Sequence, residues 1–164
     1  MTETNSARSD WEFKARGGSV FADGSAILKP DELDWLPGPL DGLEFKVTFA
    51  DPNDGDWLGL VRLDADAAFP AHINHADVHY LIISGSLNTE HGRLKAGDYM
   101  RDPGGFVPER KAGAEGVSIF CRFQGGVSAA DSDGKRAGPY IDALHVRELF
   151  AQHGMAETLY IPTR

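Results

Sequence analysis

Phe69-Pro70-Ala71-His72-Ile73-Asn74-His75-Ala76-Asp77-Val78-His79-Tyr80-Leu81-Ile82-Ile83-Ser84-Gly85-Ser86 is the most informative stretch of this chain. Its second half is rich in β-branched and aromatic residues and ends in Gly-Ser. That pattern predicts a strand over residues 78–84, turned by Gly85-Ser86. Val78, Tyr80 and Ile82 share one face of such a strand, and His79, Leu81 and Ile83 share the other. The stretch also holds three of the six histidines, His72, His75 and His79, within eight residues. His72 and Asn74 have the same parity in an extended chain, but Asn74-His75-Ala76-Asp77 reads as a turn. Parity is therefore not carried through to Val78, and counting leaves open whether Val78 or His79 points inward.

The flanks repeat the strand-and-turn pattern. Leu43-Glu44-Phe45-Lys46-Val47-Thr48-Phe49 alternates apolar and polar, as a strand with one wet face does. Trp57-Leu58-Gly59-Leu60-Val61-Arg62-Leu63 is nearly apolar on both faces. Val117-Ser118-Ile119-Phe120-Cys121-Arg122-Phe123 puts Val117, Ile119, Cys121 and Phe123 on one face. Asp51-Pro52-Asn53-Asp54-Gly55-Asp56 and Lys95-Ala96-Gly97-Asp98 are turns by composition. Short strands at this spacing predict an all-β antiparallel sandwich or barrel, and no repeat at a fixed period suggests two copies. Residues 1–18 read as a flexible N-terminal tail, 19–126 as the barrel, and 127–164 as a loop, a C-terminal helix and a terminal strand. In that last part Ser128 opens a polar loop, Asp142 caps a helix running to about Gln152, and Gly154 stops it. Val146, Leu149, Phe150 and His153 are spaced for one helix face, and residues 157–161 form the expected last strand.

A chain of 164 residues is one domain. The formal net charge of −9 argues against nucleic acid or an anionic membrane as partner. One cysteine, Cys121, excludes an internal disulfide framework and a paired-cysteine metal site. No apolar run approaches the ~18 residues of a membrane span, and the N-terminus lacks a signal-peptide pattern, so the expectation is a cytoplasmic protein. No phosphate loop or nucleophile-elbow serine is present. A lone histidine is ordinarily a packing residue, but three near one strand entrance can gather on a metal ion.

The stretch from Leu43 to Phe123 resembles the cupins, in which two short motifs on a jelly-roll barrel hold a metal ion. The first motif places glycine, a His-x-His pair, glutamate and glycine where this chain has Asp66, His72, Asn74, Val78 and Gly85. The second matches at Gly97, Pro103 and Gly105, then sets Pro108 at the histidine place and Ala112 at the asparagine place. The flanks Ile82-Ile83-Ser84-Gly85 and Leu94-Lys95-Ala96-Gly97-Asp98-Tyr99 are similar to single-domain cupins related to acetylacetone-cleaving and dihydroxyacetophenone dioxygenases and to the cupin part of anti-sigma factors.

This resemblance implies an all-β, cupin-type double-stranded β-helix with a short C-terminal helix. It also implies a divalent-metal-dependent oxygenase of the diketone-cleaving type, with iron or zinc, acting on a small carbonyl or phenolic compound, and a homodimer. Of the usual ligand places only His72 is kept. Asn74 is a weak neutral ligand, and Val78 and Pro108 bring no donor. Three alternatives stay open. A shifted site takes His72 and His79 with His75, Glu90 or His91. A metal-free site pairs His72 as base, oriented by a carboxylate such as Asp77, with Tyr80 or Tyr99 as acid. A barrel without catalysis binds a small molecule.

Overall fold

The computed structural model describes residues 13–15, 18–21, 23, 25–38 and 40–152. A small antiparallel meander comes first: β1 (Phe13–Ala15), β2 (Gly18–Val20) and β3 (Ala26–Leu28). Part of the segment expected as a tail is thus paired strand. After a single 3-10 turn at Pro30–Glu32, the barrel is built from β4 (Leu36–Pro37), β5 (Leu43–Ala50), β6 (Trp57–Leu63), β7 (Ala68–Phe69), β8 (His72–Asn74), β9 (Val78–Thr89), β10 (Gly92–Lys95), β11 (Tyr99–Asp102), β12 (Gly105–Val107), β13 (Arg110–Phe123), β14 (Val127–Ala130) and β15 (Arg136–Ile141). The larger sheet runs β10-β9-β13-β6-β5-β4, with β11 paired to β9 and β7 to β13. The smaller runs β12-β8-β14-β15. The core between them holds Val47, Val61, Val78, Ile82, Val117, Ile119 and Cys121. Trp57 stacks on Phe123 with centroids 3.8 Å apart.

Three details depart from the sequence expectation. Gly85-Ser86 does not turn the chain; β9 continues to Thr89. Gly85 (φ +71) and Gly116 (φ +73) face each other as a bulge between β9 and β13. Only glycine adopts this backbone cheaply, and the kink re-aims the strand without ending it. In β5, Lys46 and Thr48 are buried alongside Leu43 and Val47, because the register shifts after Val47 and the segment before β4 covers the outer face. The polar stretch after Ser128 forms the hairpin β14–β15. Asp131 Oδ1 accepts the N–H groups of Asp133 and Lys135 at 3.0 and 2.9 Å, closing its turn.

The helix α1 (Ala143–Gln152) starts as expected. Asp142 Oδ1 accepts the Leu144 and His145 N–H groups at 3.0 Å each, satisfying free donors of the first turn. Ala143 and Val146 are buried, and the helix packs on β5. His153, Gly154 and the strand expected over 157–161 lie outside the described residues.

The bulge yields a prediction. A Cβ at Gly85 would overlap the Gly116 carbonyl oxygen, and the residue would also be held at positive φ. Gly85→Ala is expected to cost at least about 1–3 kcal/mol, read by differential scanning calorimetry as a Tm lowered by roughly 2–10 °C. An unchanged Tm would show that the bulge relaxes freely.

Candidate functional site

The strand β8 sits in the middle of the smaller sheet. His72 pairs with Val107 and Ala129, and Asn74 with Gly105 and Val127. Because the two share parity, both are buried, at 4% and 1% exposure. His72 Nδ1 lies 2.8 Å from the Pro70 carbonyl oxygen. A carbonyl can only accept, so Nδ1 carries the proton and Nε2 presents a bare lone pair. Burial pushes the imidazole below its ordinary range, and the nearby Arg110 charge adds to this. The ring is therefore neutral at pH 7. Nε2 has no protein partner, nor have Oδ1 and Nδ2 of Asn74; the Tyr80 hydroxyl is buried with the Asp102 carboxylate beside it as an acceptor. Burial, with Cys121 and Asp102 nearby, pushes the Tyr80 phenol well up, so it stays protonated. Three unpaired polar atoms in a protein interior, one on His72 and two on Asn74, are costly and call for a partner.

Beside them lies a buried cation. Arg110, at the start of β13, is 2% exposed, and Asp102, at the end of β11, is 4% exposed. Arg110 donates two hydrogen bonds to Asp102, at 2.7 and 3.0 Å, and two to Glu90, at 2.7 and 3.0 Å. The guanidinium holds the Glu90 carboxyl down at about 2. Burial alone would lower the Arg110 pKa, but the two carboxylates outweigh it and raise it. Arg110, Asp102 and Glu90 all act on His72, and Arg110 and Asp102 act on Tyr80, so these side chains share one electrostatic neighbourhood.

The structure places the five candidate metal ligands in different surroundings, with only Glu90 and His91 in contact among them. Register settles the orientation that counting left open: Val78 pairs with Asp102, and both are buried, so His79 on the alternate parity points out. There it shares a hydrogen bond with Tyr99, itself 60% exposed. His75 is exposed in the bend after β8 and bonds through Nε2 to the Ser128 hydroxyl at 2.7 Å. Glu90 is taken by Arg110, and exposed His91 lies 3.3 Å from that same carboxylate. Only His72 faces the interior with a free donor atom. Of the two candidate acids, Tyr80 is inside and Tyr99 outside. Among the described residues no group of three or more His, Cys, Asp or Glu could hold a metal ion.

The donor chemistry agrees. Val78 and Pro108 offer nothing, Asn74 offers a neutral amide, and both nearby carboxylates already bind a guanidinium. These residues do not fit a divalent ion, which needs about three or four protein ligands. Sequence inspection did not single out Arg110. It stands two positions after Pro108, at the same strand parity as the expected histidine, in a run of charges that reads as solvated surface.

Two antiparallel sheets closing over these side chains define a cupin. The chain belongs to the ChrR Cupin-like domain family, whose profile matches residues 23–127. No curated protein matches it. Solved structures share the fold at low identity. A putative acetylacetone dioxygenase from Methylibium petroleiphilum PM1 aligns with TM-score 0.69 and 18% identity, over 76% of this chain and 93% of that one. An acetylacetone dioxygenase from Acinetobacter johnsonii gives 0.65 and 16%, over 72% and 85%. An RmlC-like cupin protein from Ralstonia eutropha JMP134 gives 0.67 and 16%, over 84% and 91%.

Two predictions follow from the Arg110 cluster. Arg110→Ala leaves the Asp102 carboxylate buried without its cation and is expected to cost about 3–5 kcal/mol by denaturant titration. A double change to Arg110→Met and Asp102→Leu should recover most of it; a double variant as unstable as the single would contradict the pairing. Glu90 has a folded pKa near 2, below its ordinary 4.5. Its contribution is thus present above pH 4.5 and lost as pH falls toward 2. Glu90→Gln should flatten the fall of Tm over that window, and an unaltered profile would show that the carboxylate is not held.

Proposed function

We propose that this chain is a small-molecule-binding cupin that works without a metal ion. Its ligand is an uncharged carbonyl or phenolic compound held between His72, Asn74 and Tyr80. The observation that carries this is the set of three buried polar atoms with no protein partner, His72 Nε2 and the Oδ1 and Nδ2 of Asn74, with the Tyr80 hydroxyl buried in the same neighbourhood. Their chemistry defines the ligand. His72 Nε2 accepts an O–H from a phenol or enol. Asn74 donates to a carbonyl oxygen or accepts an O–H. Charge narrows it further. One guanidinium against two carboxylates leaves the Arg110 cluster with a net negative charge, which disfavours an anion. These polar atoms are buried, so each hydrogen bond to the ligand counts for more than at a surface. A single buried cysteine and an acidic chain are in keeping with a cytoplasmic location, and no helix among the described residues is long and apolar enough to cross a membrane.

A metal-dependent oxygenase of the diketone-cleaving type is the second reading. Its support is the activity named for two structural neighbours, both below 20% identity. The donor set speaks against it. The enol form of acetylacetone carries one O–H and one C=O, which makes it a suitable probe of both readings.

Isothermal titration with acetylacetone and with phenol, before and after EDTA treatment, tests the proposal. Saturable binding to one of them, indifferent to EDTA and about tenfold weaker in Asn74→Leu for a lost hydrogen bond, is expected. An oxygen electrode should show no uptake when Fe(II) is added with acetylacetone. Iron-dependent oxygen uptake at turnover would establish the oxygenase instead, and failure of both probes to bind would remove the ligand class.

A further inference from the structure

A tyrosine hydroxyl carries one proton and accepts through its oxygen, so the partner of that proton decides what it offers a ligand. Tyr80 and Val78 share the inward face of β9. Across to β11, Met100 lies opposite Tyr80 and Asp102 opposite Val78, which makes Asp102 the diagonal neighbour of Tyr80 on that face. Diagonal pairs of this kind are within reach of long and aromatic side chains. Both residues are buried. Each oxygen of Asp102 accepts one N–H from Arg110. A carboxylate has about four lone-pair positions, so acceptor capacity is left for Tyr80. The neighbour of Tyr80 on the other side, Cys121, brings a thiol, which is a weak acceptor. His72 Nε2 takes no proton from a protein group. The Tyr80 proton therefore goes to Asp102, and burial and the carboxylate both favour keeping it on the phenol.

With its proton committed, Tyr80 turns only oxygen lone pairs toward the interior. His72 Nε2 likewise only accepts. Two of the three side chains thus require O–H groups from a ligand, while the Asn74 amide adapts to either need. A hydroxyl set against Tyr80 or His72 completes a hydrogen bond. A plain ketone oxygen in that place leaves two buried acceptors facing each other, which is costly. Arg110 takes part in this selection only through Asp102, whose carboxylate it holds in place.

We propose that Asp102 is a positioning residue that holds the Tyr80 proton and thereby makes the interior select hydroxyl-bearing ligands, phenols or enols, over plain ketones. This rests on the small-molecule-binding reading above and narrows its ligand class. Asp102→Asn tests it. Arg110 has only donors and claims the amide oxygen, which turns the amide NH2 toward Tyr80 and the phenol proton toward the ligand. Isothermal titration with phenol and with cyclohexanone, two six-membered rings, reads the preference. The unaltered chain should bind phenol about tenfold more tightly, the worth of one hydrogen bond. Asp102→Asn should abolish or reverse that preference, and in a Tyr80→Phe background the same change should leave it unmoved. A second readout needs no ligand: proton NMR should show a low-field Tyr80 hydroxyl resonance, absent in Tyr80→Phe and shifted upfield by Asp102→Asn. If Asp102→Asn fails to fold, the double change Arg110→Met and Asp102→Leu takes its place, since it also frees the Tyr80 proton. A resonance indifferent to the loss of the carboxylate, or probes that bind with a preference it does not alter, would overturn the positioning role alone. A resonance that responds as expected while neither probe binds would overturn the ligand selection together with the small-molecule reading.

Discussion

A buried guanidinium tolerates the interior of a protein only when acceptors surround it, and Arg110 is held by four hydrogen bonds to two carboxylates. The carboxylates come from distant points of the chain. Asp102 ends β11, Glu90 sits in the turn between β9 and β10, and Arg110 opens β13. One side chain therefore ties three parts of the larger sheet together beside the interior. It also sets the electrostatics of the interior. The positive charge is already neutralised, both carboxylates are engaged, and the polar groups beside them, His72, Asn74 and Tyr80, are uncharged.

That constraint separates this chain from what its fold suggests. A cupin barrel gathers inward-pointing residues of two sheets, and the usual use of that gathering is to hold an ion. Here the gathered residues are an imidazole with one free nitrogen, an amide, a phenol and a satisfied ion cluster. Such a set can orient a neutral molecule by donors and acceptors. The fold places the site, and the side chains decide what it can take.

The strand pattern was readable where burial is one-sided and regular. Residues 57–63 and 117–123 form strands as expected, because Val61, Leu63, Val117, Ile119, Cys121 and Phe123 keep strict alternation against the core. The Gly97 turn was readable because a positive φ and the Asp98 cap require those residue types. The hairpin β14–β15 was not, since its residues are small and polar and it forms by pairing with β8, a contact between distant parts of the chain. The site was half legible. His72 stood out by type and spacing. The exclusion of His79 was hidden by the bend at residues 75–77, which breaks parity. Arg110 was hidden by the bulge between Ala112 and Val117, which prevents counting back from the clear strand to its direction. No local pattern shows that a charge in a charged run is the buried one.

X-ray fluorescence of crystals grown from protein never exposed to chelator, followed by anomalous difference maps at the iron and zinc edges, puts the proposed metal-free interior to the most direct trial. The expected map has no peak at bonding distance from His72 Nε2 and shows the Arg110 guanidinium bridging Asp102 and Glu90. A peak about 2 Å from that nitrogen, with either carboxylate turned away from Arg110, would contradict it.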